Sequence, residues 1–464
     1  MICENKDQLK KECELVLACD GGDVHILDED RFRKKLIDDL IYTVVFSPDP
    51  ATKEAAAFLI RRGAAALGIF SSSIQTLYEA MGRKEAAGFT VPAINIRGLT
   101  YDVAQAVFRA AIKGKVGPVI FEIARSEIGY TLQRPQEYIC AVTAAAVKTG
   151  WRGPIFVQGD HFQINAGKFA RDAETETQTV KNLIWEAIEN GFYNIDIDTS
   201  TLVDLSKPDV TEQQRTNFSL AAQLTVMIRD LEPEGITVSV GGEIGEVGGK
   251  NSTVEELKAF MDGYLFELKK NGEDYKGISK ISVQTGTTHG GVPLADGTVA
   301  KVKIDFDVLQ KLSETSRTDY GLAGAVQHGA STLPDEAFDR FPATGTAEIH
   351  LATGFQNMIY DSELFPVELR EKIYDHLKAK MKDEWKEGDT QEQFIYKTRK
   401  KGFGPFKLEM WHLPADIRDG ICAGLERQFA FLFDKLSVND TRALLDEHVK
   451  TVDVPLKMPA VLKN

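Results

Sequence analysis

Ile155 to His161, IFVQGDH, is an apolar, β-rich run that ends on Gly159, a carboxylate and an imidazole. Taken alone it reads as a short buried strand closed by a turn aspartate and a partly buried histidine. The pattern recurs, however. Val283–His289 (VQTGTTH) and Leu322–His328 (LAGAVQH) are small or apolar runs that end on histidine, each followed directly by glycine. Thr346–His350 (TAEIH) carries a fourth. The chain has 8 histidines in 464 residues, so four at or near strand ends is a pattern that needs a common cause.

Working outward, strand candidates are Phe89–Ile96, Pro118–Ala124, Ile155–Asp160, Tyr193–Asp198, Thr237–Gly241, Ile281–Thr285, Leu322–Gln327 and Thr346–Ala352. Helical patterns lie between them: Tyr101–Lys113, Pro135–Thr149, Thr177–Asn190, Thr211–Leu231, Val254–Asn271 and Asp305–Glu314. This alternation implies parallel strands with crossover helices, and eight such strands fit a closed (β/α)8 TIM barrel of the α/β class. A doubly wound open sheet is the runner-up. It is weakened by polar groups at the ends of many strands, where a barrel builds its active site. The expected division is an N-terminal α/β appendage over 1–85, the barrel over 86–361, and a helical C-terminal extension over 362–464. In the appendage, Tyr42–Phe46 (YTVVF) and Ala65–Phe70 read as strands and Pro50–Arg62 as a helix.

The net charge of −14 argues against nucleic acid as the main partner, because phosphates need a basic face. None of the 5 cysteines forms a CxxC pair, so reduced thiols and a cytoplasmic location are expected. No apolar stretch approaches the roughly 20 residues that span a bilayer, and a charged N-terminus without an apolar core is not expected to act as a signal peptide.

A barrel brings the ends of its third, fifth, sixth and seventh strands to one mouth, and with them His161, Glu243, His289 and His328. Three imidazoles and a carboxylate suit a divalent ion, zinc first. Asp198, ending the fourth strand, is a further ligand candidate or a partner of one. Asp160 directly precedes His161, so in a regular strand the two side chains point to opposite faces. Asp160 is then the candidate general base. Glycines and hydroxyls after the later strands, Gly290, Gly329, Ser331 and Thr353, suit a phosphate held by backbone N–H groups and hydroxyls. GGEIGEVGGK (Gly241–Lys250) lacks GxGxxG spacing and is not a nicotinamide-cofactor loop. His25, His376, His412 and His448 have no such context and read as surface or core residues.

The set FTVPAIN, GDH, GGEIGEVGG, THGG, QHGAS and EIHLAT, spanning roughly 72–361, resembles the class II, metal-dependent ketose-bisphosphate aldolases, including the fructose- and tagatose-bisphosphate enzymes. The resemblance implies a lyase that reversibly cleaves a phosphorylated ketose through a zinc-stabilised enediolate of dihydroxyacetone phosphate. It implies zinc on His161, His289 and His328, with Glu243 and Asp198 at the metal's alternative position. It also implies Asp160 as acid/base, Asn95 as a substrate contact, and Gly290, Gly329, Ser331 and Thr353 around phosphate and a monovalent cation, K⁺ or Na⁺. A homo-oligomer, dimer or tetramer, is expected on the same ground. There are departures from the family pattern. Glu348 and His350 stand where a Lys-x-Asn usually precedes the threonine, so His350 is a candidate substitute donor. Lys250 and Asn251 replace acidic residues after the fifth strand, leaving Glu246 as the candidate acid. Arg125 stands near the usual serine after the second strand and is a candidate phosphate ligand. The other readings are a non-catalytic partner subunit of a tagatose-bisphosphate aldolase complex, and a zinc barrel acting on another phosphorylated sugar.

Overall fold

The computed structural model describes residues 1–20, 22–245, 249–272, 274–286, 294 and 304–463. A two-stranded antiparallel hairpin, β1 (Leu17–Asp20) and β2 (Asp23–Ile26), opens the chain. A short strand, β3 (Ile69–Ser71), follows the helix Pro50–Ala66. Eight parallel strands then close on themselves: β4 (Val91–Asn95), β5 (Ile120–Ala124), β6 (Gly153–Gln163), β7 (Asn194–Asp198), β8 (Ser239–Glu243), β9 (Lys280–Val283), β10 (Ala325–Gln327) and β11 (Glu348–Leu351). Each pairs with the next, and β11 returns to β4 with His350 opposite Ala93. The structure is thus the (β/α)8 barrel expected from the alternation. β3 is added outside the ring, against the start of β6.

The crossover helices begin and end where local chemistry dictates. Thr253 and Glu256 form a capping box at the start of Val254–Lys269. Pro135 opens Pro135–Thr149 at its first turn, and Gly150, in the left-handed region, closes it. The helix Thr100–Gly114 buries one face on the barrel and is covered on the outside by Ala415–Lys435 from the C-terminal part of the chain.

One expected strand is a helix. Tyr42–Phe46 belongs to Ile37–Phe46, whose residues Ile37, Leu40, Ile41, Val44 and Val45 are buried. That spacing is the period of an amphipathic helix. It shows only when the residues before Tyr42 are read together with the β-branched pair, and helix packing overrides β-propensity here.

The lower barrel interior is not an aliphatic plug. Lys280, the first residue of β9, is 1% exposed, and Glu348, the first of β11, is wholly buried. Lys280 Nζ lies 2.5 Å from Glu348 Oε1, 3.0 Å from Asp196 and 2.8 Å from Gln158 Oε1. The Tyr78 hydroxyl donates to the other Glu348 oxygen. Gly241 makes room for this cluster, since a Cβ there would meet Asp196 Oδ1 at 2.3 Å and Lys280 Cε at 2.9 Å.

Candidate active site

The site is organised by an irregularity in β6. Along β7 the partners run Gly159↔Ile195, then Phe162↔Ile197, so β6 carries one extra residue between them. His161 sits on this bulge at φ +40°. A non-glycine residue in the left-handed region is a local strain that surrounding structure must impose. Gly159 is required beneath it, since a Cβ would meet the Phe162 ring at 2.4 Å. The expectation that Asp160 and His161 point to opposite faces therefore fails. The bulge removes the strict alternation, and both residues line one cleft at the C-terminal mouth of the barrel. That cleft has a volume of about 640 Å³.

His161 Nδ1 lies 2.9 Å from Asp198 Oδ2 and 3.3 Å from Glu243 Oε2, and its Nε2 lies 3.9 Å from Asp160 Oδ1. The His328 ring lies tilted, its centroid 4.3 Å from that of His161, and its Nε2 lies 3.0 Å from Ser282 Oγ. Candidate ligand atoms of Asp160, His161 and His328 lie within 4.8 Å of one another, as do those of His161, Asp198 and Glu243. Two imidazoles and surrounding carboxylates are the donor chemistry that zinc takes, so these residues fit the ion. Burial raises the Glu243 carboxyl to about 8, with repulsion from Asp198 adding to the effect. Burial opposes the charged form of His161, but Asp160, Glu243 and Asp198 outweigh it and hold its imidazole well above the ordinary range. Asp198 is held low against its own desolvation by hydrogen bonds from His161, Ser200 and Gln163. The carboxyl groups of Asp160, Asp198 and Glu243 thus crowd the His161 imidazole, a donor set that a cation can share.

His350 bridges the mouth to the interior cluster. Its Nδ1 lies 3.0 Å from Glu122 Oε2 and 3.2 Å from Asp160 Oδ1, and its Nε2 lies 2.6 Å from Glu348 Oε1. Its ring also lies tilted against that of His328, with centroids 4.1 Å apart. Burial opposes its charged form, yet Glu122 and Asp160 hold its titration well above the ordinary histidine range. Glu122 is itself raised to about 8, chiefly by burial and despite His350. Burial likewise lifts Asp196 to about 6 against the pull of Lys280.

On the other side of the mouth, Asn95 ends β4 and donates its amide to Glu127 Oε2 at 2.7 Å. Arg97 binds the second oxygen of Glu127 through Nε at 2.7 Å, and its Nη1 reaches Gln356 Oε1 at 2.7 Å and Thr353 Oγ1 at 3.3 Å. Arg125 pairs with Glu176 and donates to the Gln163 carbonyl. Asn95, Arg125, Gly329, Ser331 and Thr353 all line the cleft. His289, Gly290 and Glu246 lie outside the described residues. Sequence reasoning missed Arg97, Glu122, Asp196 and Lys280. The available signal was a charged residue inside an otherwise apolar parallel strand, as in IFEIA and KISV, because burial makes such a group costly unless it is paired.

A family model described as fructose-bisphosphate aldolase class-II matches residues 75–400. The D-tagatose-1,6-bisphosphate aldolase subunit GatY of Klebsiella oxytoca is 31% identical over 118 residues, which are 25% of this chain and 37% of that protein. The chain thus spans little more than a third of that relative's length. A structure titled as a probable tagatose 6 phosphate kinase from Sinorhizobium meliloti 1021 aligns at TM-score 0.53 and 18% identity, over 77% of this chain and 99% of its own. That of fructose-bisphosphate aldolase from Campylobacter jejuni aligns at TM-score 0.48 and 16% identity, over 81% and 97%.

Proposed function

The chain belongs to the class II fructose-bisphosphate aldolase family, and from that premise we propose that it reversibly cleaves a phosphorylated ketose such as fructose 1,6-bisphosphate or tagatose 1,6-bisphosphate. The observation that carries this reading is the β6 bulge, which turns Asp160 and His161 into one cleft beside His328. His161 and His328, with His289 from the sequence pattern and Glu243 and Asp198 alongside, would hold zinc. When bound, it supplies a Lewis acid that polarises a substrate carbonyl.

The chain's own residues account for the rest. Retro-aldol cleavage requires loss of the proton from the hydroxyl β to the carbonyl as the carbon–carbon bond opens. Asp160 faces the cleft and is the acid/base for that proton. His350 steadies it from 3.2 Å away. Ser331, Thr353 and the Gly329 turn take the substrate's phosphate, and Asn95, fixed by Glu127, orients the sugar. A K⁺ or Na⁺ ion beside the phosphate loops, a homo-oligomer and a cytoplasmic location belong to the same proposal. Among the described residues no helix is long and apolar enough to cross a membrane, and the five cysteines are free.

His350 and Glu348 are engaged in ion pairs at the position of the family's Lys-x-Asn. This favours a substrate other than the two named if the first reading fails on them. The test is His161→Ala. It should lose bound zinc and cleavage together, and near-normal cleavage would remove the metal assignment.

A further inference from the structure

The same cleft receives residues from beyond the barrel. Tyr396, Lys397 and Lys400 line it together with Asp160 and His161. They belong to the helix Gln391–Thr398 and the 3-10 turn Arg399–Gly402, which packs on the helix Arg125–Thr131 that follows β5.

This segment is pinned in place. Buried Arg399 binds Asp361 through both terminal nitrogens, at 2.6 and 2.9 Å, and Asn357 Oδ1 at 2.6 Å. Phe403 lies against Gly98 so closely that a Cβ there would meet its ring at 2.0 Å. A second close approach brings Gly404 onto the Tyr130 carbonyl. A cation carried on this turn is therefore preorganised, which lowers the ordering cost of binding.

The three cations on this side of the cleft differ in what they already hold. Lys397 is committed to Asp389, at 2.7 and 2.8 Å. Arg97 gives its Nε to Glu127 but points Nη1 at Thr353, a hydroxyl of the phosphate loops. Lys400 is partly buried, 5.9 Å above the Tyr130 ring, and among the described residues it has no carboxylate at ion-pair distance. Burial pushes its ammonium down and the neighbouring positive charge of Arg97 adds to that, against a weaker opposing pull from Glu127 and Glu384. Glu127 already answers one of these two positive charges through its pair with Arg97, so the second, on Lys400, is left for an incoming anion in this partly dried cleft.

We propose that Lys400, brought in by the segment after the barrel, completes with Arg97 and Thr353 an anion subsite for a phosphate monoester of the substrate. Two positive groups and a hydroxyl match a dianion with three acceptor oxygens better than a carboxylate with two. The identification of the ligand as a sugar phosphate rests on the aldolase reading, whereas the subsite itself rests on the geometry.

The probe is inorganic phosphate, titrated calorimetrically into the whole 464-residue chain, wild type, Lys400→Met and Lys400→Arg, with acetate as the carboxylate control. Wild type should saturate with phosphate and bind acetate more weakly. Lys400→Met should bind phosphate about tenfold or more weaker, the loss expected for one charge-assisted hydrogen bond. Lys400→Arg should stay near wild type, which separates lost charge from a disturbed fold. Equal phosphate affinity in wild type and Lys400→Met, or no saturation in wild type, overturns the subsite. Acetate binding as tightly as phosphate overturns its phosphate selectivity. The aldolase reading is judged separately by cleavage. If ketose bisphosphate is cleaved while Lys400→Met leaves KM unchanged, the subsite falls and the activity stands. Phosphate binding that needs Lys400 in a protein that cleaves nothing keeps the subsite and removes the activity.

Discussion

Replacing Lys280 by methionine removes the central cation of the barrel interior while keeping the apolar length of its side chain. Both Lys280 and Glu348 are essentially inaccessible, and the pair is 2.5 Å apart. Removing one partner of a buried pair costs about 3–5 kcal/mol, because the remaining charge is left uncompensated. His350 Nε2 stays 2.6 Å from Glu348 Oε1, so the expected loss is near the lower end, about 3 kcal/mol. The effect has a pH signature. In wild type, Lys280 and His350 overcome the desolvation of Glu348 and hold its carboxyl far below the ordinary glutamate range. A group with a depressed folded pKa contributes stability that is present above its unfolded value, about 4.3, and is lost on acidification. Without Lys280, the folded pKa of Glu348 rises, and protonating it relieves the unpaired charge. The gap between wild type and Lys280→Met should therefore be widest near neutrality and narrow towards pH 5. Urea unfolding followed by circular dichroism at pH 5, 6 and 7.5 measures this directly. Adding Glu348→Gln to Lys280→Met should recover most of the loss. A gap under about 1 kcal/mol at pH 7.5, against the about 3 expected, or a gap of constant size from pH 7.5 to 5, would refute the reasoning.

Asp160→Asn should keep bound metal and lose about 10²- to 10⁴-fold in cleavage rate, as removal of a general base does; a rate within threefold of wild type excludes Asp160 from that role. Glu122, raised by burial to about 8, titrates above its unfolded value. Its stabilising contribution is thus complete below about pH 4.3 and is lost as pH rises through about 8. Thermal unfolding of the metal-free protein should fall more steeply between pH 6 and 9 in wild type than in Glu122→Gln, and parallel curves would count against this assignment.

The barrel was legible in the sequence because each strand is a short apolar run and the crossover helices keep a clean 3.6-residue period. The mouth was legible for a related reason. A histidine or aspartate ending a buried strand has few structural uses, and the topology collects such ends. The bulge at His161 was not legible. GDH reads as a regular strand end, and the close packing of Phe162 on Gly159 that accompanies the extra residue leaves no mark in the local pattern. The interior charges were hidden for a different reason: Glu122, Asp196 and Lys280 find their partners on other strands, at separations no local pattern displays. Tyr42–Phe46 reads as a strand from its β-branched pair, whereas the helical spacing that decides it begins at Ile37.

The measurement that tests the central claim most directly is triose phosphate release from fructose 1,6-bisphosphate and tagatose 1,6-bisphosphate by the purified chain. It should be followed before a chelator is added, after it, and after zinc is restored, with metal content determined alongside. The account predicts zinc bound to the protein, cleavage of at least one ketose bisphosphate, loss of that activity on chelation and its return with zinc. Cleavage that survives complete removal of metal, or a zinc-loaded protein that releases no triose phosphate from either sugar, would contradict it.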